Sequence, residues 1–237
     1  MAERKIIKLA VLIDADNTQY ITLTELLAEI AKFGVANIKR AYGDWSSENL
    51  KHWKAILNEN AIQPIQQFSY TTGKNSTDSS LIIDAMDILH AGNLDGFCIV
   101  SSDSDFTRLA TRIRESGLTV YGFGEEKTPK PFVSACDQFI YIENLKLNEN
   151  KKENISQKQE LKKIITSAIN AVSRDNNWAR LSNIGIYITR NIPNFDPRTY
   201  GYEKLGKLIR DLDYIEIDSQ KFNDDSSNVH IYVKLKD

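Results

Sequence analysis

Two short apolar runs in this chain end in aspartate, and that pairing constrains the fold more than any other feature. Leu9-Ala10-Val11-Leu12-Ile13 leads into Asp14-Ala15-Asp16-Asn17. Phe97-Cys98-Ile99-Val100 leads into Ser101-Ser102-Asp103-Ser104-Asp105-Phe106. An apolar run of this length, bounded by polar turn residues, reads as a buried strand. A strand that is apolar throughout is covered on both faces, as central strands of parallel sheets are. Open α/β sheets take their ligands just beyond the carboxyl ends of the strands. Both acidic corners therefore stand on the rim where such a sheet does its chemistry.

The residues up to 145 repeat the alternation of helix and strand. Leu23, Leu26, Leu27 and Ile30 mark a helix, and Val35 to Gly43 a strand. Asp44-Trp45-Ser46-Ser47 opens a helix through Leu50, Trp53, Ala55 and Leu57. Ala61 to Phe68 is a weaker strand whose Pro64 suits a sheet edge. A polar loop, 71–78, feeds a helix from Ser79 to His90 with an apolar stripe at Leu81, Ile82, Ala85, Ile88 and Leu89. A further helix runs from Phe106 to Gly117, and strands follow at Leu118–Phe123 and Gln138–Ile142. This order predicts βαβ units and an α/β domain with a mostly parallel sheet.

Residues 146–158 change character: Asn, Lys, Glu and Gln replace the apolar residues, which predicts a solvated linker. Beyond it, Leu161, Ile164, Ile165, Ala168 and Ile169 line one helical face. Leu181, Ile184 and Ile188 mark a second helix. A third is expected from Asp196-Pro197, a capping residue followed by proline, through Leu205, Leu208, Ile209 and Leu212. Tyr214–Ile217 and Val229–Val233 then alternate as strands do. Three helices and a hairpin make a small winged helix-turn-helix. The expected organisation is a first domain over 1–145, a linker over 146–158 and a second domain over 159–237.

Charge alone does not name a partner. The net charge is -2, but residues 151–237 carry 15 Lys+Arg against 12 Asp+Glu, leaving 15 against 20 in the remainder. Neither part is basic enough to announce nucleic acid by itself. Cys98 and Cys136 lie among strand-like residues and read as buried thiols rather than a disulfide framework. The first residues lack a signal-peptide pattern and no apolar run is long enough to span a bilayer, so a soluble cytoplasmic protein is expected.

Four acids stand out: Asp14, Asp78, Asp103 and Asp105. Asp14 and the Asp103/Asp105 pair follow two buried strands, and they converge if those strands are neighbours across a topological switch. Asp78, at the mouth of a helix, can reach the same rim. Several carboxylates share a small space while ionised only if a cation compensates them. An all-oxygen set suits Mg²⁺ or Mn²⁺. An aspartate after a strand also caps the next helix, so Asp105 has a second, structural reading, and Asp16 reads as exposed and structural.

The blocks Ile13-Asp14-Ala15-Asp16-Asn17, Lys74-Asn75-Ser76-Thr77-Asp78 with Leu81 and Asp84, and Val100-Ser101-Ser102-Asp103-Ser104-Asp105-Phe106 occur in order. Together they resemble the NYN domain, a branch of the PIN-like metal-dependent nucleases. The resemblance implies a PIN-like three-layer α/β/α sandwich, one or two Mg²⁺ or Mn²⁺ ions, and hydrolysis of RNA phosphodiester bonds. By position it implies Asp14, Asp78, Asp103 and Asp105 as the metal site and Asn17 as the asparagine beside it. Asp84, Ser101, Ser102 and Lys74 are expected around them as supporting or phosphate-binding groups.

Asn177-Trp178-Ala179, the Leu181-to-Ile188 helix and Tyr200-Gly201-Tyr202-Glu203-Lys204-Leu205-Gly206-Lys207-Leu208 resemble the LOTUS domain, also called OST-HTH. That resemblance implies a small module binding RNA or a protein partner. Arg198, Tyr200, Lys204, Lys207 and Arg210 are the residues expected to meet phosphates and bases. The expectation is a metal-dependent ribonuclease with a targeting module. The alternative is a non-catalytic RNA-binding scaffold that keeps the NYN fold.

Overall fold

The structure, a computed structural model, describes residues 6–68, 76–145, 155–173, 176–221 and 229–236. The chain divides into two compact units, Met1–Lys146 and Leu147–Asp237.

In the first unit β1 (Lys8–Asp14), α1 (Leu23–Ile30), β2 (Val35–Gly43), α2 (Trp53–Glu59) and β3 (Gln63–Gln66) alternate. They are followed by α3 (Ser76–Ala91), β4 (Gly96–Val100), α4 (Thr107–Glu115), β5 (Thr119–Gly124), α5 (Lys130–Ala135) and β6 (Gln138–Tyr141). The strands form one sheet in the order β3-β2-β1-β4-β5-β6. Every neighbouring pair is parallel. The chain builds outward from β1 to β3, returns through α3, and builds outward again from β4 to β6. The order therefore reverses between β1 and β4.

That reversal dictates the layers. A parallel crossover is right-handed, so extending the sheet in opposite directions puts the connecting helices on opposite faces. Leu23, Leu26 and Ile30 of α1 and Trp53 and Leu57 of α2 pack on one face, against Leu9, Val11 and Ile13. Leu81, Ala85 and Ile88 of α3, with residues of α4 and α5, pack on the other, against Ala10 and Leu12. Successive β1 side chains thus enter opposite layers, which is why this strand is apolar at every position from Leu9 to Ile13. The result is the expected three-layer α/β/α sandwich. Pro64 lies in edge strand β3, where a missing ladder donor is tolerated. Cys98 and Cys136 are buried free thiols.

The local elements differ from expectation in several places. The helix expected from Asp44 is a 3-10 turn at Glu48–Leu50 followed by α2. Helix α5 was not legible, being six residues long with too few turns to show a period. The helix after the expected linker, α6 (Ile155–Val172), starts inside the 146–158 stretch. The third helix of the second unit is broken.

The second unit comprises α6, β7 (Ala179–Arg180), α7 (Leu181–Asn191), α8 (Leu205–Arg210), β8 (Ile215–Lys221) and β9 (Val229–Leu235). Leu161, Ile165 and Ile169 of α6 meet Ile184 and Ile188 of α7, Leu208 and Ile209 of α8, and Val233 of β9. The hairpin is joined by β7 into a three-stranded antiparallel sheet, β7-β9-β8. Asp196 caps a 3-10 turn, Pro197–Tyr200, by accepting the Arg198 amide. Gly201 then takes φ 83°, a left-handed conformation that glycine adopts without strain and that ends the turn. The helix resumes only at Leu205. Arg198 and Tyr200 therefore do not share a helix with Lys207 and Arg210. Among the described residues no helix is long and apolar enough to cross a membrane.

Candidate metal centre

The two acidic corners meet because β1 and β4 are hydrogen-bonded neighbours at the point where the strand order reverses, with Ile13 opposite Val100. Asp14 closes β1 and is 0 % exposed. Ser101, also buried, follows β4 and donates its hydroxyl to Asp14 Oδ2 at 2.7 Å. The Asn17 side chain donates to the same oxygen at 2.9 Å, and the Asn17 amide donates to Oδ1 at 3.3 Å. Burial pushes the Asp14 carboxyl above its ordinary value, while the Ser101 and Asn17 bonds favour the ionised form and work against that rise.

Ser101 Oγ also accepts the Asp103 amide at 3.1 Å. One hydroxyl thus joins the end of β1 to the turn that carries the second acidic pair. In that turn Asp103 accepts the Asp105 amide at 2.9 Å and so caps the 3-10 turn Ser104–Phe106. The capping carboxylate is Asp103, not Asp105 as the sequence suggested. The turn precedes α4, so the residue two positions earlier holds the extended φ and ψ that a cap requires.

Asp78 arrives from the opposite direction. It lies on the stripe of α3 that continues through Leu81, Ala85 and Ile88, so packing that stripe on the sheet draws the Asp78 carboxyl inward. It is 8 % exposed. Asp78, Asp103 and Asp105 each offer one carboxylate oxygen, and the three oxygens lie within 4.8 Å of one another. They grade from buried through half-buried to exposed, so the group opens outward at Asp105. Burial, followed by the charges of Asp14, Asp103, Asp105 and Asp16, pushes Asp78 up to about 6.

Asp14 bears on this group through its charge but does not belong to the close three; its Oδ2 carries two hydrogen bonds. Asp16 contributes more than sequence reasoning assigned to it. Its Oδ2 accepts the buried Thr77 hydroxyl at 2.8 Å, which ties the loop after β1 to the first turn of α3 beside Asp78. The legible signal was its position two residues after Asp14; the Thr77 partner had none.

The remaining expected residues separate. Ser102 turns toward β5, where its hydroxyl accepts the Glu125 amide at 2.9 Å. Asp84 pairs with Arg40 at 2.8 Å and accepts the Tyr42 hydroxyl at 2.7 Å, on the helix face that covers β2. Its charge is matched there. Lys74 lies outside the described residues. In the second unit, Arg198 grips Asp196 through Nε and Nη2. Tyr200 packs against Phe195, with ring centroids 5.9 Å apart, and burial pushes its hydroxyl up to about 12. Lys204, Lys207 and Arg210 are exposed, and Lys207 pairs with Glu203 at 2.6 Å.

The donor set is entirely carboxylate, and burial and crowding raise Asp78 above its ordinary value. Such a set suits a hard divalent cation such as Mg²⁺ or Mn²⁺ and suits softer metals poorly. Asp78, Asp103 and Asp105 are the residues that would hold it, with the buried Asp14 acting on Asp78 through its charge.

The chain matches the NYN domain over residues 8–143 and the OST-HTH/LOTUS domain over residues 155–226. A solved protein of unknown function from Vibrio parahaemolyticus is similar in fold, with a TM-score of 0.51 at 19 % identity over 60 % of this chain and 96 % of that one. A solution structure of segment 175–257 of a Chromobacterium violaceum protein is 37 % identical over 32 % of this chain and 78 % of that one, with a TM-score of 0.26. No curated protein matches the chain. With residues 8–143 matched and acids gathered at the β1/β4 rim, the chain belongs to the NYN family and carries a C-terminal OST-HTH/LOTUS domain.

Proposed function

We propose that this chain is a ribonuclease that hydrolyses RNA phosphodiester bonds at the β1/β4 rim with a bound Mg²⁺ or Mn²⁺, and that its LOTUS domain binds RNA. The observation that carries the reading is the convergence of Asp78, Asp103 and Asp105 to within 4.8 Å inside an NYN domain. A bound divalent cation supplies Lewis-acid polarisation of the phosphate and lowers the pKa of attacking water. Asp78, Asp103 and Asp105 would hold the ion, and Asp103 is fixed for this by accepting the Asp105 amide. Asp105, the most exposed of the three, takes the proton from the attacking water at a carboxylate oxygen. The Asp14 carboxylate, oriented by the Ser101 and Asn17 donors, would add its charge to the group. Ser101 and Asn17 act as positioning residues.

The test is incubation of the purified chain with single-stranded RNA and Mn²⁺ or Mg²⁺. Cleavage is expected, and it should disappear in EDTA and in the Asp14→Asn/Asp103→Asn double variant. Cleavage that survives the double variant would show that the assigned acids are not the site. Calorimetric titration with Mn²⁺ reports ion binding independently of turnover.

A further inference from the structure

A groove of about 1040 Å³ opens where α2 faces edge strand β3. Its walls include Trp45, Ser46, Leu50, Lys51, Lys54 and Pro64. Trp45 is held firmly. Its indole N–H donates to the Ile65 carbonyl at 2.9 Å, its amide donates to Gln66, and its ring meets the buried Trp53 edge-on at 6.4 Å. Lys51 and Lys54 are exposed; Lys51 meets Glu48, also in the wall, at 3.4 Å in a solvent-exposed pair that a phosphate can displace. An anchored aromatic ring with lysines beside it is how proteins grip a single-stranded nucleic acid: bases stack on the ring while phosphates meet the cations.

One wall of the groove lies close to the acidic rim. Gly43, the last residue of β2, marks the join. A Cβ built there would lie 2.6 Å from Leu50 Cδ1, a wall of the groove, and 3.3 Å from Asp16 Oδ1. The Asp16 carboxylate and the groove wall therefore both lie against Gly43. Through Thr77, Asp16 connects to the α3 turn that bears Asp78.

We infer that this groove holds nucleotides of a single-stranded RNA flanking the phosphate at the acidic site, with an unpaired base stacked on Trp45 and phosphates on Lys51 and Lys54. The inference rests on the ribonuclease reading above. It specifies that reading further: the preferred substrate is unpaired, because a base stacked inside a duplex has no free face to offer Trp45.

Two experiments on the full chain decide it. In the first, single-stranded RNA cleavage is measured for Trp45→Leu and for the exposed pair Lys51→Glu/Lys54→Glu. KM should rise about tenfold in each, as loss of one stacked base or two phosphate contacts implies, with a much smaller change in kcat. In the second, a single-stranded oligonucleotide carrying 4-thiouridine is photocrosslinked to the wild-type chain and adducts are mapped by mass spectrometry. Adducts are expected on the peptide containing Trp45 and should be competed by single-stranded RNA but not by duplex. An unchanged KM in the lysine variant, or adducts confined to other peptides, overturns the groove assignment. The crosslink needs no turnover, so a chain that crosslinks at Trp45 but does not cleave would refute the nuclease reading while sustaining the groove.

Discussion

The Ser101 hydroxyl donates to the Asp14 carboxylate at 2.7 Å across the seam between β1 and β4. Both residues are buried, and the seam is where strand order reverses. Ser101→Ala leaves a buried carboxylate short of a donor, which costs about 1–3 kcal/mol. Urea denaturation should show that loss, and cleavage should fall with it because Asp14 and the Asp103 turn lose their common anchor. Ser101→Ala with wild-type stability would mean that the bond contributes nothing.

Asp78→Asn separates stability from function. The substitution removes a carboxyl that is buried among four other aspartates. The metal-free variant should melt higher than the metal-free wild type; in a domain of this size each 1 kcal/mol is worth about 2–4 °C. The rise in melting temperature that Mn²⁺ gives the wild type should shrink or vanish. A variant that melts lower without metal would contradict the repulsion argument.

The same residue sets a pH dependence whose sign is opposite to that of a salt-bridged aspartate. Asp78 is raised from 3.8 to about 6 in the folded chain. Between those values the folded state binds more protons than the unfolded state, so stability contributed by this group falls as pH rises. The contribution is undiminished below pH 3.8 and is lost by the time pH passes 6. Because the ion competes with that proton, the stabilisation by Mn²⁺ should be small at pH 5 and grow toward pH 7. Thermal melts with and without Mn²⁺ across this range measure both effects.

Asp84 offers a control within the same helix. It is matched by Arg40 and Tyr42 rather than joined to the metal-binding group. Asp84→Asn should lower stability by about 1 kcal/mol, since the pair is partly screened by solvent, and leave Mn²⁺ affinity unchanged by calorimetry. A large loss of affinity would bring Asp84 back into the site.

In the LOTUS domain, Lys204, Lys207 and Arg210 line the exposed side of α8 and its cap. If they meet phosphates, reversing all three charges weakens RNA binding and flattens its salt dependence by about 0.7 in log–log slope per lost contact. Tyr200→Phe should leave RNA binding alone, because that ring packs inside the domain against Phe195. Fluorescence anisotropy at several salt concentrations distinguishes these outcomes.

Local chemistry made much of the fold legible. The apolar run Leu9–Ile13, covered on both faces, was recognisable as a central strand, as was Phe97–Val100. Pro64 marked an edge, and Asp14, Asp103 and Asp105 stood at strand ends because the hydrophobic pattern stops there. What the pattern does not carry is which strands are neighbours. The sandwich architecture turns on β1 and β4 lying side by side, a pairing between residues 87 positions apart, and it alone brings Asp14 to Ser101. It also decided which acids share a space: α3 rotates Asp78 onto its packed stripe and leaves Asp84 to Arg40. Capping went to Asp103 because an extended backbone, not residue type, selects the cap. Gly201 broke the expected third helix through a left-handed φ that composition does not announce. The sequence by itself determined the strands, their buried faces and the acidic ends, since those follow from the burial of each segment. Only the tertiary structure decided the partnerships, since non-local packing sets the distances between carboxylates.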